Sequence, residues 1–270
     1  MSEKTFWITG AASGLGLTLA TAALARGHRV CATDIDVEKL ERAAADRGFP
    51  KDRTMLLGHD VREPGSFREV ANTIRARFSR LDVMINNAGV MVVGPAHEPT
   101  DQDVELTLDI NVKGVIYGSR EAARLMIPQR SGHIINICSL SSLTPVPGLS
   151  VYSASKFAVR GYTLALGIEM KAHGVDVTCV NPDGIATPML RVHAKSEHAA
   201  LVFSGPRILS ASEVSDAVLG TVLTDRPLEI TLPASRGFLA KVASASPQLT
   251  AQTIAAVRWL GKRRQMNTKW

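Results

Sequence analysis

The stretch Thr5-Phe-Trp-Ile-Thr-Gly-Ala-Ala-Ser-Gly-Leu-Gly-Leu-Thr-Leu-Ala20 reads as a strand, a glycine-rich turn and the start of a helix. β-Branched and aromatic side chains over residues 5–9 suit a pleated strand. Gly10, Gly14 and Gly16 let the backbone approach a bound group closely, with Ser13 and Leu15 in the same turn. The amino terminus of the helix that follows stabilises negative charge there, as a pyrophosphate would supply. The spacing is G-x-x-x-G-x-G, not the G-x-G-x-x-G of the commonest dinucleotide fingerprint, and a plain tight turn can carry the same glycines. The strand before and the amphipathic helix after favour the dinucleotide.

Outward from this turn, strand-like and helix-length runs alternate. Strands are expected over 5–9, 29–33, 54–58, 81–85, 134–137, 176–180 and 228–232, and helices over 17–26, 37–47, 65–78, 103–126 and from Tyr152 to about 172. Such alternation specifies βαβ units and a parallel sheet. No Pro/Gly-rich linker and no internal repeat interrupt it. The expected architecture is therefore α/β: a single doubly wound, Rossmann-type parallel sheet with helices on both faces, over residues 1–234. Residues 188–211 form an irregular insertion where such folds place a substrate lid. It ends at Ser210-Ala-Ser-Glu213, a capping box that starts the next helix. Residues 235–270 form a basic carboxy-terminal extension.

A chain of 270 residues that is 45% hydrophobic and 21% charged is ordinary globular material, long enough to bury a core. No run approaches the ~20 apolar residues of a membrane span. The amino terminus enters a strand almost at once, so the expectation is no signal peptide and a cytoplasmic location. Cys31, Cys138 and Cys179 are widely spaced in apolar runs and read as reduced core thiols. His59, His97, His133, His173, His193 and His198 show no metal-ligand spacing, and no metal is expected. The net charge of +6 belongs to the carboxy terminus: Arg236, Lys241, Arg258, Lys262, Arg263, Arg264 and Lys269 stand in residues 231–270 without an acid, leaving about −1 for the rest. The pI of 9.4 thus describes a tail, and nucleic-acid binding is not expected. Ile254, Val257 and Leu260 against Arg258, Lys262 and Arg263 would suit a membrane surface, although a solvated or subunit-docking helix is the better reading.

Asp34 closes the second strand. An acid there accepts hydrogen bonds from the adenosine ribose hydroxyls and repels a 2′-phosphate, unless it merely caps the next helix. No arginine or lysine stands at Ile35 or in the glycine turn to hold such a phosphate, so NAD is favoured over NADP. In Val151-Tyr-Ser-Ala-Ser-Lys-Phe157, Tyr152 and Lys156 share one helical face, one turn apart. The ammonium stabilises the charge a tyrosine carries after releasing its proton. Ser139, at a strand end upstream, can position a substrate oxygen.

Taken in order, these segments resemble the short-chain dehydrogenase/reductase family over roughly residues 5–190. The resemblance rests on Thr9 through Gly16, Asp60-Val61, Asn86-Asn87-Ala88-Gly89, Asn111 in Asp-Ile-Asn-Val-Lys-Gly, Ser139 in Asn-Ile-Cys-Ser, the Tyr152 and Lys156 pair, and Asn181-Pro182 through Thr187-Pro188-Met189. It implies cofactor contacts from Gly10, Ser13, Gly14, Leu15, Gly16, Asp34, Asp60, Val61, Asn87, Ala88, Gly89, Tyr152, Lys156, Pro182, Ile185 and Thr187. It implies catalysis by Asn111, Ser139, Tyr152 and Lys156. Tyr152 would exchange a proton with a substrate oxygen positioned by Ser139, Lys156 would hold the nicotinamide ribose, and Asn111 would hold a water linking the lysine to solvent.

The expected activity is NAD(H)-dependent interconversion of a secondary alcohol and its ketone. Leu140, Leu143, Val146, Leu149, Met189, Leu190 and Phe203 would line a pocket for an apolar small molecule. By resemblance, the helices at 103–126 and 152–172 pack between subunits of a homodimer or homotetramer. A catalytically silent NAD-sensing regulator would keep the glycine turn and lose Tyr152 or Lys156; both are present. One departure stands out: Pro182-Asp183-Gly184 has an acid where the family has glycine, read as solvated or as a hydrogen-bonding group for cofactor or substrate.

Overall fold

In β1 (Thr5–Thr9) successive side chains feed two different cores: Phe6 and Ile8 pack on one side and Trp7 on the other, all fully buried. Helices cover both faces, which is why the strands read as continuous apolar runs. The computed structural model describes residues 2–268. β1 leads into α1 (Gly14–Ala25), β2 (Arg29–Asp34), α2 (Val37–Asp46), β3 (Thr54–Gly58), α3 (Pro64–Phe78) and β4 (Val83–Asn86). Then come α4 (Asp101–Leu108), α5 (Gly114–Gln129), β5 (Gly132–Ile137), α6 (Ser150–Met170), β6 (Val175–Pro182) and α7 (Pro188–Val192). The chain closes with α8 (Ala211–Ala217), α9 (Leu223–Asp225), β7 (Glu229–Leu232), α10 (Ala234–Ala245) and α11 (Pro247–Asn267).

The strands form one sheet in the order β3-β2-β1-β4-β5-β6-β7, every pair parallel. The order reverses between β1 and β4, and ligands of such sheets bind outside the strand ends at that reversal. The glycine turn, Asn86–Gly89 and the Ser139 loop all leave strands at this edge.

Three expectations change. The helix expected over 103–126 begins at Asp101, capped reciprocally by Thr100 and Asp103, and is interrupted by a π-helical turn, Asp109–Lys113. The extra residue in that turn brings the Asn111 amide onto Val90, accepting from its N–H at 2.8 Å and donating to its carbonyl at 2.9 Å. The insertion at 188–211 is not irregular: it holds α7 and a 3₁₀ segment, Glu197–Ser204, around the buried Leu190, Ala199 and Phe203. The carboxy-terminal extension is docked on the chain itself, although much of its outer side faces solvent. α10 packs on β7 and on the loop after Ser139, where Ala240 joins Leu140 and Leu143, and α11 packs along the 3₁₀ segment of the lid. Lys269 lies outside the described residues.

Candidate active site

The turn after β1 is built for close approach. Gly10 and Gly14 have positive φ values of 67° and 55°, which L side chains resist. A Cβ on Gly16 would stand 2.1 Å from the Gly10 carbonyl oxygen and 2.6 Å from Asn87 Nδ2. Asn87 donates from that nitrogen to the carbonyls of Thr9 (2.9 Å) and Gly10 (3.1 Å), and the Thr9 hydroxyl accepts from the amides of Asn87 and Ala88 (3.0 and 3.1 Å). The turn and the end of β4 are thereby one unit, with the first amides of α1 at its rim. Gly16 itself lies behind the cavity wall that Gly10, Ser13, Gly14 and Leu15 form.

Asp34 accepts from the Ala12 amide at 2.9 Å and from the Asp36 amide at 3.1 Å. The cap of α2 is Asp36, which accepts from the Lys39 amide at 3.0 Å, so Asp34 is not the helix cap. Its carboxylate ties the glycine turn to the end of β2 and borders the cavity beside the exposed Ile35. Asp60 and Val61 border the same end. Asp60 is gripped by the Arg62 guanidinium at 2.6 Å, which holds its carboxyl below the usual range.

At the other end of the cleft Lys156 is 5% exposed, and its Nζ donates to the Ile137 carbonyl at 3.1 Å and lies 5.6 Å from the Tyr152 ring centre. Ser139 begins the 3₁₀ turn Leu140–Ser142, its hydroxyl accepting from the Ser141 amide at 3.1 Å. The Ser142 hydroxyl donates to Asn181 at 2.7 Å, pinning this loop to β6. Asn111 is fully buried behind the wall, donating also to the Ser155 hydroxyl at 3.1 Å. A Cβ on Gly89 would come within 3.2 Å of Asn111 Oδ1 and 3.9 Å of Lys156 Nζ, so glycine there leaves room for both side chains.

These parts open onto one continuous cavity of about 670 Å³, lined from Gly10 and Asp34 past Ala88, Gly89, Ser139, Tyr152 and Lys156 to Pro182, Ile185 and Thr187. Leu140, Val146, Leu149, Met189 and Leu190 line it as expected, whereas Leu143 packs behind it on Ala240 and Phe203 is in the lid's own core. The glycine cradle, the helix amino terminus and the acid at the end of β2 fit a dinucleotide. Among the described residues no cluster of three metal-ligating side chains occurs. His59 and His133 are core residues, contacting Ser66 at 2.7 Å and Thr178 at 2.8 Å, and burial pushes each down to about 4. Cys31, Cys138 and Cys179 are free and buried.

Asp183 is not solvated. It is 8% exposed, accepts from Arg236 Nε at 2.8 Å and from the Gly184 amide at 2.9 Å, and Arg236 donates onward to the Ser204 hydroxyl at 3.0 Å. Arg236, Leu239, Ala243, Thr250, Ile254 and Val257 belong to the cavity wall, and the sequence reading missed them. Two signals were present, an acid out of place at Asp183 and an apolar spacing at Ile254 and Val257. Nothing in the sequence joins positions so far apart.

A family model described as short chain dehydrogenase matches residues 4–198. The chain belongs to that family and is an oxidoreductase acting on CH–OH groups. It is similar to the cyclopentanol dehydrogenase of Comamonas sp. (strain NCIMB 9872), 31% identical over 223 residues that cover 81% of this chain and 89% of that protein. It is also similar to the momilactone A synthase of Oryza sativa subsp. japonica, 35% identical over 224 residues, 78% of this chain and 80% of that one. A short-chain dehydrogenase structure from Streptomyces avermitilis matches with a TM-score of 0.80 at 26% identity, covering 94% of this chain and 98% of that one. A Burkholderia phymatum structure in complex with NAD shares the fold, with a TM-score of 0.83 at 23% identity over 92% and 95% of the two chains.

Proposed function

We propose that this oxidoreductase interconverts a secondary alcohol and its ketone with NAD(H), on an apolar substrate. The observation that carries the reading is the convergence of Ser139, Tyr152 and Lys156 on the same cavity as the glycine cradle. Gly10, Ser13, Gly14 and Leu15 would hold the pyrophosphate, Asp34 the adenosine ribose, and Asp60 and Val61 the adenine, with Gly16 and Asn87 keeping the turn in shape. Ala88, Gly89, Pro182, Ile185 and Thr187 would flank the nicotinamide half. When bound, NAD(H) accepts or supplies the hydride at the carbinol carbon. The Ser139 hydroxyl orients the substrate oxygen, and the Tyr152 hydroxyl takes the proton as the alcohol's O–H bond breaks, or returns it to the forming alcohol. Lys156, fixed on the Ile137 carbonyl, supplies positive charge beside the tyrosine. Asn111 holds the backbone at Val90, and in this reading it would hold a water that connects the lysine to solvent.

Residues 1–234 would be the catalytic domain, with 235–270 completing its pocket. The exposed apolar side chains Leu106 and Leu108 on α4, and Phe157 and Ile168 on α6, support a homodimer or homotetramer built through those helices. A cytoplasmic location agrees with this cofactor. No helix among the described residues is long and apolar enough to cross a membrane.

The decisive experiment is Tyr152→Phe, assayed for alcohol oxidation and for NADH binding by fluorescence. Phenylalanine keeps the ring and removes the proton carrier, so turnover should fall about 10²–10⁴-fold with NADH affinity nearly unchanged. A variant keeping more than roughly a tenth of wild-type activity removes Tyr152 from the chemistry.

A further inference from the structure

The family-model match stops at residue 198, inside the lid, yet the cavity continues beyond it. Its far wall comes from the extension: Leu239 and Ala243 on α10, and Thr250, Ile254 and Val257 on α11. This wall offers carbon. The Thr250 hydroxyl donates to the Ala243 carbonyl at 2.7 Å and the Thr253 hydroxyl to the Thr250 carbonyl at 3.2 Å, so both are engaged with their own backbone. The charged groups nearby, Asp183 and Arg236, are closed on each other and on Ser204.

The wall is also anchored. A Cβ on Gly261 would stand 2.1 Å from the Ala200 carbonyl oxygen, so α11 lies directly on the lid's 3₁₀ segment. Arg264 donates to the Gly205 carbonyl at 2.7 Å, and Gln265 to the carbonyls of Ala194 and Ser196, both at 2.8 Å. Lys262 pairs with Glu197 at 2.7 Å. On the body side, Arg236 and Lys241 of α10 reach Asp183 and Glu229 at 2.8 and 2.7 Å. The extension is therefore held at both ends, on the lid and on the ends of β6 and β7.

We propose that α10 and α11 are the specificity-determining wall of the substrate pocket, latched by the Asp183–Arg236 pair. The substrate is then a secondary alcohol or ketone whose apolar body runs from the carbinol carbon at Ser139 and Tyr152 to Ile254 and Val257. This inference rests on the proposed reaction, but its test does not require turnover. Methyl ketones from 2-butanone to 2-decanone are titrated against the full-length Tyr152→Phe protein with NADH bound and, in parallel, by thermal shift without NADH.

Affinity should rise by up to about fourfold per added methylene until the chain meets α11, then level off. Adding Ile254→Trp should move that plateau to shorter ketones and cut the ratio of 2-decanone to 2-butanone affinity at least tenfold. Ile254→Ala should move it to longer ones. Val257→Phe is a second obstructing variant should the tryptophan unfold the protein. Met266→Ala, on the exposed side of α11, should leave the profile as it was. Unchanged profiles in both obstructing variants, or no ketone binding in either format, overturn the proposal. Loss of turnover in wild type with an intact ketone profile would overturn the proposed reaction and leave the wall standing.

Discussion

At Asp34 a single carboxylate does two jobs, and the difference between them can be measured. It accepts from Ala12 in the glycine turn and from Asp36, and it borders the end of the cavity where we propose that the adenosine lies. Asp34→Ala therefore loosens the turn for any dinucleotide, and the informative readout is the ratio of kcat/KM for NAD⁺ to that for NADP⁺. Losing charge-assisted hydrogen bonds of about 1.5–3 kcal/mol should lower NAD⁺ usage roughly ten- to hundredfold. NADP⁺ should suffer less, because the charge that repels its 2′-phosphate is gone. Adding Ile35→Arg at the exposed neighbouring position should improve NADP⁺ further through bidentate pairing. A wild type that prefers NADP⁺, or a ratio unmoved by Asp34→Ala, would reduce Asp34 to a backbone tie. Asp183 is the contrasting residue: it also lines the cavity, but its carboxylate is taken up by Arg236 of α10.

Among the elements, α11 has the most to say about what a sequence reveals. Its docking on the lid depends on Gly261, whose missing Cβ makes room for the Ala200 carbonyl. Gly261→Ala should lift the helix at an overpacking cost of about 1–3 kcal/mol. Opening of that order should speed tryptic cleavage within α11 about fivefold to a hundredfold, because proteolysis follows the locally opened population. NADH binding, at the other end of the cavity, should not change. Cleavage at the wild-type rate would mean that α11 does not rest on the lid. The strands and the glycine turn were legible because each is specified locally: β1 and β3 fall where their apolar runs place them, Gly10 and Asn87 directly follow β1 and β4, and Lys156 stands one helical turn after Tyr152 in α6. The π-helical turn at Asp109–Lys113 was not, since one extra residue in a helix barely disturbs a 3.6-residue pattern. Nor was the placement of α10 and α11. Their apolar spacing does not say whether they meet a membrane, a second subunit or the chain's own fold, and contacts such as Arg236–Asp183 and Gly261–Ala200 decide the matter.

Across the whole molecule the uneven charge distribution has an internal use. The extension carries no acid, and Arg236, Lys241 and Lys262 are paired with Asp183, Glu229 and Glu197 outside it, so much of its charge faces this chain rather than a surface elsewhere. Two buried histidines also bear on stability against acid. His59 and His133 are buried on the Trp7 side of the sheet and at β5, and burial lowers each from 6.5 to about 4. An unfolded chain takes up a proton at each histidine near 6.5, whereas the folded chain resists until about 4. Their contribution is thus fully present above pH 6.5 and is lost progressively as the pH falls towards 4. Linkage puts the loss between pH 7 and pH 5 at about 2 kcal/mol per histidine. His133→Gln keeps an amide within reach of Thr178 and removes one titrating group. Urea denaturation at pH 7, 6 and 5 should show a smaller fall in unfolding free energy for the variant than for the wild type, by about 2 kcal/mol over the range. The variant is expected to be the less stable of the two at pH 7 and to close the gap by pH 5. Parallel pH profiles would show that His133 is not held neutral in the core, and the acid lability would then have to come from the carboxylates.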